Sequence, residues 1–447
     1  MLEKIRHLHS WAKRCTAVLT TDTVRCMQGF QLLRVLAPLV TGVVLTKLIA
    51  SRAALGMYES VVFALTLCTF FWVSALLRGV LVLAGRQGVE QGVLLGSLFR
   101  LLSSVGVVVG GLLLLFRRFF EEGVLGTSLH TEYYVLCGLV VVSAPTFINE
   151  YIYFIEGKGR QLLLYGIVLL VGQVGVICMP ILLGYGLEVS LYGLLVFQVL
   201  KLIWAFGLLG QSIFLFSRVV ALSLWGLSAP LMLSFLMATG ADYIDGILIL
   251  QFRSAADFVL FRYSARELPI SIAFCTALSS AMLLPLSREL ASGMTELRQR
   301  SLRLMHLLFP LSVGLVLFSK WIFPVIYNSD YQAGAFIFNI FSLLVISRVV
   351  FPQTVLTALN STKVQFWITL FELLLNAIVS LVLLHYIGLE GVAWGTFVAF
   401  SVEKILLVGY LWYAYDIIPN QYIPVRWYLF YVSVLLVCFA FVQLYFR

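Results

Sequence analysis

The chain has 447 residues, of which 61% are hydrophobic and 11% charged, with a net charge of +9; a soluble domain carries about 25% charged residues. That leaves too little polar surface for a water-soluble protein of this size, and excludes a soluble enzyme, a disordered chain and a nucleic-acid reader. The basic excess sits mostly at the ends of apolar runs, which is the pattern of membrane anchoring. In chain order, residues 1–27 hold Lys4, Arg6, Lys13, Arg14 and Arg25 and no long apolar run. They are predicted as a basic amphipathic cytoplasmic tail, not a cleaved signal. A membrane helix needs about 20 mainly apolar residues. Such runs follow at 28–50, 58–84, 98–116, 133–155, 162–184, 189–211, 222–250, 258–286, 303–325, 333–357, 365–387, 391–413 and 427–445, numbered here spans 1 to 13. They are continuous and lack a period of two, which excludes a β-barrel. The longest connections, 117–132 and 287–302, have 16 residues each, so no soluble domain is inserted.

Lys and Arg set the expected orientation. With the N-terminus cytoplasmic, inner segments collect fifteen basic residues, including Arg86, Lys158, Arg160, Arg218 and Arg426, and outer segments collect six. The positive-inside rule therefore places the N-terminus in the cytoplasm. The seven cysteines form no C-x-x-C and the five histidines no H-E-x-x-H, so neither a disulfide framework nor a metal site is expected. Phosphate-loop and nucleophile-elbow motifs are absent as well. No cofactor and no enzymatic activity are expected, and any energy for transport must come from an ion gradient, the membrane potential or the substrate's own gradient.

The two halves resemble each other. The pattern G-L-E-x-x-x-[YW]-G occurs at Gly186 and again at Gly388, 202 residues on. Arg100-Leu101 pairs with Arg303-Leu304, Lys201 with Lys404, and Ala37-Pro38-Leu39 with Ala229-Pro230-Leu231. One repeat covers six spans, an even number, so both copies enter from the same side as parallel repeats. The expected fold is all-α: a six-helix bundle over 28–211, a second over 222–413, and an extra helix at 427–445. Two such bundles are expected to enclose a wet cavity, with Pro38 and Pro230 as hinges in the first helix of each.

Ionisable side chains at membrane depth are costly unless paired or wetted, which makes them functional candidates. Arg34 in span 1, Arg78 in span 2 and Arg348 in span 10 are the candidate cavity cations, with snorkelling to the interface as the alternative for Arg34 and Arg78. Asp242 and Asp245 share one face of span 7, and Arg262 and Arg266, with Glu267 beside them, lie on span 8. These are expected to form an ion-pair ladder, either as an outer gate and anion site or as a structural clasp. Glu150 on span 4 is a candidate arginine partner or protonation site. Lys201, Lys404, Glu372, Asn376 and Gln173 are read as snorkelling or helix–helix contacts. Arg dominates the cavity candidates, and its fork suits phosphate or carboxylate, so the expected substrate is an anion.

Four segments carry a family resemblance: Arg34 to Tyr58 (RVLAPLVTGVVLTKLIASRAALGMY), Asp242 to Tyr263, Tyr327 to Ala335 (YNSDYQAGA), and Ala358 to Gly395 with its GLEGVAWGT. Over most of residues 25–413 the chain resembles the multidrug/oligosaccharidyl-lipid/polysaccharide (MOP) exporter superfamily, with its MATE-like fold, and is most similar to the Wzx-type O-antigen flippases. The resemblance implies translocation of an undecaprenyl-diphosphate-linked oligosaccharide from the inner to the outer leaflet of the bacterial inner membrane. It also implies cavity walls built by spans 1, 2, 7 and 8, hence Arg34, Arg78, Asp242, Asp245, Arg262 and Arg266. Implied partners are the lipid-linked anionic oligosaccharide, membrane lipids, and glycan polymerase and chain-length regulator proteins, with no nucleic acid. A multidrug exporter of the same superfamily and a membrane glycan polymerase or ligase are the alternatives. The thirteenth span departs from the usual twelve or fourteen.

Overall fold

In a computed structural model of the chain, the described residues are 21–84, 90–127 and 129–446. The tail cations Lys4, Arg6, Lys13 and Arg14, together with Arg86, lie outside them. Among the described residues the chain is nearly all helical and holds no strand. Thirteen helices among the described residues are long and apolar enough to cross a membrane, which makes this a multi-pass membrane protein. They begin with Arg25–Leu48, Arg52–Ala84 and Gln91–Leu115 and end with Val425–Tyr445, in the order predicted.

Three spans differ from a simple rod. Span 4 runs from Thr131 to Thr146 and resumes as Ile148–Ile155, with the break at Phe147, two residues past Pro145. The hydrogen bond that Pro145 cannot make belongs to the turn before it, which stays helical, so the break lies past the proline and not at its missing N–H. Span 8 is a short helix, Ala255–Ser264, then a non-helical link through Ala265, Arg266, Glu267 and Leu268, then Pro269–Arg288. Span 10 comes in pieces, Gly334–Ser342, Val345–Arg348 and Pro352–Ala358. Spans 4 and 10, six apart in chain order, are each 78% buried inside the protein, against 17–61% for the others. Interrupted backbone at membrane depth is tolerated where protein covers it. Pro38 and Pro230, the expected hinges, both lie inside uninterrupted helices.

By backbone contacts the chain divides into two units, Met1–Ala238 with Leu250–Ala256, and Thr239–Ile249 with Asp257–Arg447. The long helix Arg218–Phe252 therefore contributes to both. In the first unit, span 1 packs along span 5, and span 4 sits between spans 3 and 6. Its core gathers Trp72, Leu76, Leu98, Leu102, Ile148 and Ile152, all buried. Small residues allow close approach. A Cβ on Gly96 would collide with the Ser212 carbonyl oxygen, and one on Gly79 would meet the Ser228 hydroxyl.

In the second unit spans 11 and 12 form the most extensive helix pair. Gly391 and Gly395, four apart in the quoted GLEGVAWGT, let the backbones meet: a Cβ on Gly395 would stand 2.7 Å from the Ser380 backbone. This is the small-residue contact by which membrane helices associate without a hydrophobic driving force. Span 13 is attached to this unit along span 9. There Phe309 stacks on Tyr431 at 5.3 Å, and the His306 Nδ1 and Tyr431 hydroxyl are 2.6 Å apart. Span 9 is longer than predicted, Leu290–Ile326. Its first four turns carry Glu296, Arg298, Arg300 and Arg303, an amphipathic start that apolarity alone does not register.

Candidate functional site: charge networks at the interrupted spans

In the first unit, the short helix after the break in span 4 presents Asn149 and Glu150, both buried. The Arg34 Nη1 donates to Glu150 Oε1 at 2.8 Å. Glu150 is sequestered, while the Arg34 side chain is 44% exposed. Asn149 Nδ2 donates to the Tyr165 hydroxyl and to the Lys201 carbonyl, both at 3.0 Å. The Lys201 ammonium stands 5.5 Å above the Phe147 ring, at the break itself, and the Arg34 guanidinium is 6.0 Å from the same ring. Two cations thus stand near one aromatic ring, and Arg34 also pairs with Glu150. Arg78 is exposed on span 2, its guanidinium 4.4 Å over the Phe235 ring. Arg100 does what a charge near a span end should: its Nη2 donates to the Phe214 carbonyl at 3.0 Å, closing the turn after span 6.

In the second unit, two interruptions supply one pair. Glu267 in the link of span 8 accepts both arms of Arg348 from the broken span 10: Nε to Oε2 at 2.8 Å and Nη2 to Oε1 at 2.6 Å. The Arg348 guanidinium is also 5.0 Å from the Phe400 ring. The expected ladder therefore differs from the observed one. Asp245 is buried and pairs with hydroxyls instead of the span 8 arginines: Thr396 Oγ1 donates to Oδ2 at 2.6 Å and Ser380 Oγ to Oδ1 at 3.4 Å. Asp242, one turn earlier, is exposed. Arg266 Nε donates to the Arg262 carbonyl at 3.4 Å, and its guanidinium lies 5.7 Å from the Tyr263 ring. The i, i+3 spacing of the aspartates does put them on one face, but Asp245 on that face turns to spans 11 and 12. Arg348, expected as a cavity cation, is held in a fork by Glu267.

A third group is not evident from the sequence. Glu403 on span 12 is buried and accepts from Thr369 Oγ1 at 3.0 Å, Gln353 Nε2 at 3.1 Å and Lys404 Nζ at 3.3 Å. Asn376 Nδ2 donates to Thr396 Oγ1 at 3.2 Å. Of the two readings for Lys404 and Lys201, snorkelling or helix–helix contact, the structure has the contact: Lys404 pairs with Glu403 and Lys201 stands over Phe147, both partly buried; their match across the repeat is the signal for it. Glu403 has a signal too, a carboxylate beside a lysine in mid-span. Among the described residues no three of His, Cys, Asp or Glu are grouped to hold a metal ion.

Both units thus place an arginine–carboxylate pair at a helix interruption, Arg34–Glu150 and Arg348–Glu267. Discontinuous membrane helices of this kind form substrate and ion sites in transporters, because they free backbone and side-chain groups at depth.

The chain matches no protein-family model and no curated protein. Its fold does match solved structures. It is similar to the lipid II flippase MurJ in an inward closed conformation, with a TM-score of 0.64 and 16% identity, over 95% of this chain and 100% of that one. It is also similar to an inward-facing multidrug-resistance MATE family transporter of the MOP superfamily, with a TM-score of 0.57 and 15% identity, over 84% and 93% of the two chains. A third is a MOP superfamily transporter from Pyrococcus furiosus whose binding pocket is described as reversed in polarity, with a TM-score of 0.54 and 17% identity over 88% and 94%. This chain has the fold of the MOP superfamily transporters.

Proposed function

We propose that the chain is a flippase that carries an undecaprenyl-diphosphate-linked oligosaccharide from the inner to the outer leaflet of a bacterial inner membrane by alternating access, with its N-terminus in the cytoplasm. The observation that carries this reading is the pair of guanidinium groups at membrane depth with substantial exposure, Arg34 and Arg78 in the first unit. A guanidinium forks onto phosphate oxygens and stays charged at any working pH. The fold supports transport, and one of the similar structures is that of a lipid II flippase. Arg78 and Arg34 receive the diphosphate, and Arg34 exchanges Glu150 for phosphate oxygens. Arg348 makes the same exchange with Glu267 later in the path. Arg262, Arg266 and Asp242 serve the release side, and Asp245, braced by two hydroxyls, is the ion-coupling carboxylate. The polyprenyl tail stays in lipid throughout.

The test is complementation of a strain lacking the gene, reading surface glycan. Full export by the Arg34→Ala, Arg78→Ala double variant, at normal protein level, contradicts the reading. A second reading, export of organic cations, is favoured by one observation: the second unit holds Asp242, Asp245, Glu267, Glu372 and Glu403 at membrane depth. A broad rise in resistance to cationic drugs on overexpression, with unchanged glycan, selects it.

A further inference from the structure

Span 6 meets the break in span 4 along one face. Thr146 Oγ1 donates to Gln198 Oε1 at 3.4 Å, and Asn149 Nδ2 donates to the Lys201 carbonyl at 3.0 Å. Gln198 and Lys201 are three apart on one helix, hence neighbours on that face. These contacts hold the Lys201 backbone beside the break, and its ammonium stands 5.5 Å above the Phe147 ring. Among the described residues no hydrogen bond or ion pair ends on that ammonium. A cation over a ring is held less firmly than one in a charge-assisted hydrogen bond. Phe147 keeps helical backbone angles and lies three residues before Glu150, so ring and carboxyl stand about one turn apart on the same side.

The repeat sharpens the contrast. Lys404, the counterpart of Lys201 in the second half, has Glu403 at 3.3 Å, and Arg348 has Glu267 at 2.6 Å. There each cation has a carboxylate of its own. In the first unit Arg34 and Lys201 are the two cations near enough to act on Glu150, and Glu150 is bonded to Arg34 alone. The Glu150 side chain is 4% exposed and the Arg34 side chain 44%. A carboxylate so buried is very costly to leave unpaired. Arg34 can therefore leave it only if another positive charge arrives. Lys201 is the charge at hand, on a flexible four-carbon stem.

We infer that Lys201 is the reserve counter-ion of Glu150. When Arg34 turns to an anionic ligand, the Lys201 ammonium moves from the Phe147 ring to the carboxylate, and Glu150 stays paired throughout. Lys201 is thus a positioning residue: it does not touch the ligand, and it sets how readily Arg34 is released. That the ligand is a diphosphate rests on the proposed function above. The exchange of partners at Glu150 does not.

Arg34→Ala imitates the departure of Arg34 without any ligand. Thermal unfolding of the full chain in detergent, for Arg34→Ala, Lys201→Met and their double variant, reads the exchange. Each single variant leaves Glu150 one cation, so each should lower the midpoint slightly. The double variant should lose several degrees more than the two single losses together, and adding Glu150→Gln should return most of that excess. Single losses that simply add overturn the inference. Should the double variant not fold, acylation of Lys201 by a small amine reagent, read by mass spectrometry, takes its place. Lys201 should react several-fold more slowly in Arg34→Ala than in wild type, and unchanged or faster acylation overturns the exchange. A second arm adds farnesyl diphosphate as the ligand probe. Lys201→Met should bind it several-fold more weakly than wild type, and Lys201→Met, Glu150→Gln should recover at least wild-type affinity. Failure to recover would make Lys201 a direct ligand contact and overturn the positioning role. Absence of binding to wild type counts against the proposed function alone, since unfolding and acylation decide Lys201 without a ligand.

Discussion

Arg348 and Glu267 meet through two charge-assisted bonds, with the Glu267 side chain 13% exposed and the Arg348 side chain 30%. Truncating one partner strands the other. Breaking a buried pair on one side costs about 3–5 kcal/mol, and the exposure of Arg348 puts this one toward the lower end. Arg348→Ala should therefore lower the unfolding temperature in detergent and also reduce glycan export. Arg348→Lys, which restores charge without the fork, should recover stability in part and export little. Equal export by all three proteins would show the pair to be a clasp only. Asp245 gives a different expectation. Asn at this position keeps one acceptor oxygen for Thr396 and turns its NH2 toward the Ser380 hydroxyl, which accepts in its turn, so Asp245→Asn should change stability by no more than about 1 kcal/mol, the net worth of a typical hydrogen bond. Transport by Asp245→Asn should nevertheless lose its dependence on the driving ion, read as flux with and without an imposed gradient. What the sequence reveals at this scale is which side chains matter. It does not reveal their partners, because partners are chosen by helix rotation and by breaks. Arg348 is legible as a charge in mid-span, and its fork with Glu267 is not, since two interrupted helices create it. Glu403 is hidden behind its neighbour Lys404 in the sequence, although it anchors three polar groups.

The helices themselves follow from elementary rules, and all thirteen apolar runs emerge as spans. The departures have local causes. Apolar counting does not register the non-helical link at Ala265–Leu268, since charged Arg266 and Glu267 sit among residues that still average apolar. It also stops short at the amphipathic start of span 9. Proline does not interrupt spans 1 and 7, where Pro38 and Pro230 lie inside continuous helices, and in span 4 the break falls at Phe147, two residues past Pro145. The glycines of GLEGVAWGT are conspicuous as a repeated motif, but their physical role is contact. Gly395→Leu has no room: its Cβ alone would run into the Ser380 hydroxyl and lie 2.7 Å from backbone. Overpacking of this sort costs about 1–3 kcal/mol, and more where backbone is the obstacle. Thermal unfolding in detergent should show a clear loss for Gly395→Leu. Gly409→Leu, on the same helix with open space around it, should leave the transition unmoved. Similar transitions for both would deny the close contact of spans 11 and 12.

For the whole molecule, membrane residence and helical class are legible from composition alone. The six-span repeat has an echo in the structure: spans 4 and 10 are the two most buried, and both are interrupted. The division of the chain is less legible, because the helix Arg218–Phe252 gives its first part to one unit and Thr239–Ile249 to the other. Orientation rests on the count of Lys and Arg. Cysteines placed singly at Lys158 and Lys363 should be labelled by impermeant thiol reagent only after the inner membrane is opened, and one at Arg118 before. The opposite pattern would reverse the inside and outside assigned here. The central claim, movement of a lipid diphosphate, is tested most directly in proteoliposomes holding a fluorescent polyprenyl-diphosphate oligosaccharide, with an impermeant quencher added outside. Wild-type protein should expose the inner-leaflet pool, and the Arg34→Ala, Arg78→Ala double variant should slow that exposure about tenfold or more, the factor that 1.4 kcal/mol brings. Exposure no faster than in protein-free vesicles, or equally fast for a neutral polyprenyl glycan without the diphosphate, would contradict the account.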